Sequence, residues 1–251
     1  MIAKETEKTE ENNEEEVEGK EKKREIAIPG EVIVSGKEYL PGDGTRREDD
    51  DIISNKFGLA DISGRLVRVI SLSGSYMPRA GNVVIGRVMD VTFNGWIMDI
   101  NAPYQSFLSV SEIERYIRGD LTEYYDIRDM IVCKVYAVKH RGVDLTTKGK
   151  GLGKLERGMI IYINSNKVPR VIGREGSMIK LIKENTNCDI VVGQNGVVWI
   201  SGNKVEDELK AKEAIMFVVS RSFIDGLTEK VKEWFEEENK GKLMHKKPEV
   251  S

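Results

Sequence analysis

Residues 171–183 read VIGREGSMIKLIK, and two glycines three apart, Gly173 and Gly176, interrupt an apolar pattern of helical period. A chain that turns sharply between two short helices needs backbone there with no Cβ in the way, so the pattern dictates a helix–Gly-x-x-Gly–helix hinge. Such a hinge points backbone N–H groups and a helix N-terminus at whatever approaches, which suits a phosphate. Arg170 and Arg174 at the hinge, with Lys180 and Lys183 on the second helix, supply matching charge. The spacing alone is common. With 24 glycines in 251 residues, about two such matches arise by chance. The second match, Gly193-Gln-Asn-Gly196, sits between apolar runs 189–192 and 197–200 with no helix behind it. Its Asn-Gly step predicts a hairpin turn.

The flanks of the first match complete a domain. Residues 159–163 form an apolar strand; Val168, Val171 and Ile172 share a helical face, with Pro169 suited to a first turn. Met178, Ile179, Leu181 and Ile182 line the helix after the hinge. Residues 205–219 predict a long helix with Val205, Leu209, Ile215 and Val219 inward. The order strand–helix–hinge–helix–strand–strand–helix resembles the K-homology (KH) domain of eukaryotic type. That resemblance implies that the Gly173–Gly176 clamp grips about four nucleotides of single-stranded RNA. Between the clamp glycines Glu175 offsets part of the Arg174 charge, which leaves two readings open: a weakened grip, or a domain that serves packing.

Residues 81–147 change to short strands at 83–91, 95–100, 106–110, 131–138 and 143–147, with one helical insert at 112–117. Five strands with an insertion between the third and fourth match a Greek-key OB barrel, whose second and third strands bind oligonucleotides. The wording is similar to the barrel repeated in bacterial ribosomal protein S-one. The resemblance places Phe93 and Trp96 at base-stacking positions and Ser109 where that family commonly has a His. Lys134, Lys139, His140 and Arg141 are candidate phosphate partners. The stretch 148–154, KGKGLGK, fits no phosphate-loop pattern and reads as a short basic linker.

Thirty-nine basic and 42 acidic residues give a net charge of −3, but residues 1–25 hold ten acids and six bases, so the remainder carries +1. RNA contact must therefore come from local patches. The segment 1–25 is nearly devoid of apolar residues and predicts an acidic disordered tail. Cys133 and Cys188 have no metal-ligand spacing and suggest a reducing compartment. With two histidines, His140 and His245, triads and metal sites find no support; the acids at 48–51 read as a solvated loop. No membrane span or signal peptide is evident, and the expectation is a cytoplasmic protein that is not an enzyme and has no cofactor or metal.

Residues 26–77 contain the strand-like runs EVIVSG, GLADISG and LVRVISLSG, with a charged excursion at 45–51. The β module opening on PGEVI and GDGT, then the barrel, then the KH domain, resembles the archaeal exosome subunit family of ribosomal RNA-processing protein four. This predicts a multidomain chain: acidic tail 1–25, ring-docking β module 26–79, S-one-type barrel 80–148, linker 149–157, KH domain 158–224, and C-terminal helix and tail 225–251. The resemblance implies a non-catalytic cap on a ring of RNase PH-like subunits, sharing the complex with another cap subunit and guiding single-stranded RNA, A-rich tails included, to the entry pore. Two alternatives stand beside it. Polynucleotide phosphorylase carries the same modules in the opposite order behind catalytic domains that this chain has no room for. A transcription-elongation RNA-binding factor would place a barrel before KH modules.

Overall fold

The computed structural model describes residues 25–113, 120–222 and 226–244, and of 239–244 the backbone alone. Residues 1–24 of the tail expected at 1–25, positions 114–117 of the expected insert, and His245 lie outside the described residues. Residues up to Leu72 form one compact unit and those from Ser73 onward a second.

The first unit is all β. Its strands are β1 (Ile26–Ala27), β2 (Val32–Ser35), β3 (Leu40–Pro41), β4 (Thr45–Glu48), β5 (Asp51–Ser54), β6 (Gly58–Ser63) and β7 (Leu66–Ser71). They make two sheets, ordered β1-β6-β7-β3 and β2-β5-β4. In β7 Val67 and Val69 point inward while Leu66, Arg68 and Ile70 point out, the period-2 alternation of a half-buried strand. The excursion expected at 45–51 is instead the hairpin β4–β5. Asp49 takes φ 51° at its tip, a left-handed geometry that Asp tolerates, and Arg46 meets Glu48 at 2.7 Å. Polar composition hid the hairpin because only one strand, with Ile52 and Ile53, faces the core.

The second unit opens with a barrel of β8 (Val83–Thr92), β9 (Gly95–Asp99), β10 (Ser106–Ser109), β11 (Met130–Lys139) and β12 (Gly142–Thr146). The pairings run β8-β9-β10-β12-β11 and return to β8, so the barrel closes, with β10 and β12 parallel. Closure removes the free edges that a five-stranded sheet would expose. The basic segment expected as a linker contributes β13 (Gly153–Leu155), a sixth strand along Met130–Val132 of β11. Lys154 bonds to Asp129 at 2.5 Å and Lys148 to Glu112 at 3.5 Å, so these two lysines anchor the stretch.

The KH part follows as β14 (Met159–Tyr162), α1 (Val168–Ile172), α2 (Ser177–Thr186), β15 (Cys188–Val192), β16 (Val197–Gly202), α3 (Val205–Ser220) and α4 (Leu227–Met244). Its sheet is antiparallel in the order β14-β16-β15. The inward stripe of α3 differs from expectation. Val205 is 62% exposed and Leu209 43%, whereas Ala211, Ala214, Ile215 and Val218 are buried. Two alanines let α3 approach its neighbours closely, and the apolar residues of its first turns are left outside. Lys210 turns inward with its ammonium 5.3 Å from the Phe235 ring of α4. Of the helix and tail expected at 225–251, the helix runs to Met244.

The turn between β15 and β16 is the predicted hairpin, and it is also a joint. Asn195 is fully buried; its Nδ2 donates to the carbonyls of Ile85 (2.8 Å) and Ile100 (2.9 Å), and its Oδ1 accepts from Ile85 N–H (3.3 Å). Gln194 N–H donates to Val83 O at 2.8 Å, and Val83 N–H donates to Gln194 Oε1 at 3.1 Å. β8 pairs with β9 only from Arg87 onward, so the two amide side chains satisfy the stretch of β8 that β9 leaves open. A Cβ on Gly193 would stand 2.9 Å from Ile85 N, which explains the glycine. Around this joint Ile85, Val132 and Val197 form a shared apolar cluster with Leu155 and Trp199 packed against it.

Candidate nucleic-acid interface

The barrel carries an open groove of 440 Å³ on its outer face. The turn between β8 and β9, the outward residues of β9 and β10, and the β11–β12 hairpin line it, contributing Phe93, Asn94, Ile97, Gln105, Phe107, Lys139, Arg141 and Asp144. Phe93 is 96% exposed, so its ring stands free in solvent, the placement a stacking platform needs. Among the described residues Arg141 has no ion-pair partner, whereas Lys139 meets Asp144 at 2.5 Å.

Trp96 requires a correction. It is fully buried in the barrel, its indole N–H donates to Tyr125 O at 2.8 Å, and its ring packs edge-on against Tyr125. No base stacks on it in this fold. Strand parity is the reason: in β9 Trp96 and Met98 face inward and Ile97 faces the groove, so Trp96 lies on the wrong side of the strand. The groove finds its second ring in Phe107, which pairs across the strands with Ile97. The alternation of Phe107 between the inward Ser106 and Leu108 was the available signal.

The other barrel candidates scatter. Ser109 Oγ caps the short turn after β10, accepting from Ser111 N–H at 3.3 Å. His140 is exposed at the tip of the β11–β12 hairpin and Lys134 is exposed on β11, and neither lines the groove.

The KH clamp has the geometry its glycines allow. Gly173 takes φ 76°, Gly176 φ 79°, and between them Glu175 takes φ 52°, a left-handed conformation unusual for a side-chain-bearing residue. A Cβ on Gly173 would sit 2.7 Å from the backbone N of Met178. Arg170, Arg174 and Glu175 are exposed, Lys183 is half-buried, and Lys180 lies 3.8 Å from Glu184. The hinge therefore gathers Arg170, Arg174 and Lys183 as cations without ion-pair partners among the described residues. Both cysteines are buried and free, with burial pushing each thiol up. Among the described residues no His, Cys, Asp or Glu cluster is placed to hold a metal, and no helix is long and apolar enough to cross a membrane.

Comparison with known proteins agrees with this layout. Residues 75–117 match the family model described as RRP4, S1 domain, and residues 158–217 match the KH domain model. An exosome complex component Rrp4 from Methanothermus fervidus is 43% identical over 214 residues, covering 85% of this chain and 96% of its own. The chain belongs to the Rrp4 family of exosome complex components. The Rrp4 protein of Thermococcus kodakarensis is 45% identical over 221 residues, covering 85% of each chain. A crystal structure provisionally described as an exosome complex RNA-binding protein is similar with TM-score 0.61 and 36% identity, covering 67% of this chain and 99% of that one. As an Rrp4-type chain with S1 and KH RNA-binding domains, it is a non-catalytic exosome component. The elongation-factor and phosphorylase alternatives give way to this family.

Proposed function

We propose that the chain caps a ring of RNase PH-like subunits in the cytoplasm and delivers single-stranded RNA to the ring's pore, alongside another cap subunit. The observation that carries this reading is the free Phe93 ring beside Arg141 in the barrel groove. A ring that gains nothing from its own fold is suited to a partner with a π-face, and every base has one. Phe107 and Ile97 provide the apolar floor on which a base lies, and Arg141 the countercharge for its phosphate. The unit ending at Leu72 is the ring-docking module. The KH clamp is a secondary contact, because Glu175 stands among its cations. Stacking of this kind favours A-rich tails, since adenine offers the larger face.

The test is Phe93→Ala in the assembled complex. Affinity for unstructured RNA falls by about 1–3 kcal/mol, the value of one base–aromatic stack, while duplex RNA binds poorly to both forms. Unchanged binding of single strands would remove the barrel groove from the RNA path.

A further inference from the structure

We infer that Asp144 accepts a hydrogen bond from a donor on the nucleotide seated in the barrel groove, so that this face selects nucleotides by their sugar or base edge and not by charge alone. The inference rests on the proposal that RNA occupies the groove. An acid is an unexpected lining for a polyanion site. Asp144 also occupies the centre of strand β12, where Asp is a poor choice on propensity grounds. Its ion pair with Lys139 does not account for it. The Lys139 side chain is 67% exposed and that of Asp144 30%, and pairs this open contribute little.

Placement gives the better account. Phe107 on β10 pairs directly with Ile97 on β9 and with Asp144 on β12. Outward side chains in one such cross-strand row are spaced by about 4.8 Å. A base lying on the Phe107 and Ile97 side therefore brings its edge or its ribose over Asp144. The carboxylate there uses Oδ2 for Lys139, and Oδ1 has no hydrogen-bond partner among the described residues. An ionised carboxylate only accepts, so it matches a donor and repels a phosphate. RNA offers three kinds of donor at that place: the ribose 2′-OH, which DNA lacks, the exocyclic amine of adenine, which uracil and thymine lack, and the ring imino N–H of uracil and thymine, which adenine lacks. Arg141, on the same hairpin, is left to take the phosphate.

The experiment measures binding of the full-length chain to four oligonucleotides of equal length: oligo-rA, oligo-rU, oligo-dA and oligo-dT. Asp144→Val removes the acceptor; Asp144→Asn removes the charge and keeps a carbonyl acceptor. Losing a charge and releasing Lys139 strengthen binding of all four alike, so the readout is the ratio of affinities between them. The wild-type chain prefers ribo over deoxy, or one base over the other, by about tenfold, the worth of a charge-assisted hydrogen bond. Asp144→Val abolishes that ratio and Asp144→Asn retains part of it. In Asp144→Val, loss of a ribo preference identifies the 2′-OH as the donor, loss of an A preference the exocyclic amine, and loss of a U and T preference the imino N–H. Ratios that are the same in the wild type and Asp144→Val overturn the inference. Phe93→Ala measured in parallel separates the two levels: if it weakens binding while the Asp144 ratios stay fixed, the groove binds RNA and only the role of Asp144 is wrong.

Discussion

Replacing Asn195 with alanine should cost more than any other single polar change in the second unit. Its side chain is fully buried and satisfies three backbone groups at once: the N–H and C=O of Ile85 and the C=O of Ile100. β8 has no β9 partner at Ile85, so no neighbouring strand can take over. Each buried group left unpaired costs about 1–3 kcal/mol. Some of that returns as water enters or the turn relaxes, and about 2–5 kcal/mol is the expected net loss. Asn195→Asp should be worse, because it sets carboxylate oxygens against two carbonyls. With a urea slope of roughly 1–3 kcal/mol per molar, the alanine variant's midpoint drops by about 1–3 M. Urea titration followed both by Trp96 emission, in a background with Trp199 and Trp234 replaced by phenylalanine, and by helical circular dichroism from the KH part reads this directly. The wild-type unit, joined by Asn195 and by the Ile85–Val132–Val197 cluster, gives coincident curves, whereas in Asn195→Ala the two probes separate. An unfolding free energy within about 0.5 kcal/mol of wild type would refute the argument that the turn carries the joint.

Trp96→Ala should act on folding, not on RNA: removing a fully buried indole costs about 3–5 kcal/mol, seen as a lowered melting temperature, and any RNA effect in folded protein stays small beside that of Phe93→Ala. Tyr76 gives an alkaline signature. Burial pushes its phenol from 10.0 up to about 12, against a smaller opposing pull from Arg79, and its hydroxyl donates to Asn82 at 2.9 Å. The unfolded chain therefore releases this proton first, so the stability Tyr76 contributes is present in full below pH 10 and disappears as pH rises to about 12. That loss is at most about 2.7 kcal/mol, and the stability gap between wild type and Tyr76→Phe should shrink across that window in denaturation at fixed pH steps.

What the sequence made legible and what it did not divide along a physical line. The hinge at Gly173 and Gly176 was legible because conformational need and residue type coincide: only glycine fits φ 76° beside Met178. The five barrel strands were legible for a similar reason, since each repeats a local alternation. Facing was harder. The resemblance to the S-one-type barrel sets Trp96 on the groove, yet position parity within β9 decides which way it points, and one residue of register reverses the answer. Val205 and Leu209 failed likewise, because small Ala211 and Ala214 determine which side of α3 comes closest to its neighbours. The joint made by Gln194 and Asn195 could not be read at all. A turn-forming Asn-Gly step accounts for the local sequence, and nothing in it reveals that β8, more than a hundred residues earlier, has two residues with unpaired backbone. The groove combines both cases: Phe93 is reached through the resemblance to the S-one-type barrel, but the adjacency of Phe107 and Asp144 exists only once β10 and β12 lie parallel in a closed barrel. Residues that act through long-range pairing are thus the ones a pattern cannot place, and they are where base and sugar selectivity is expected to reside.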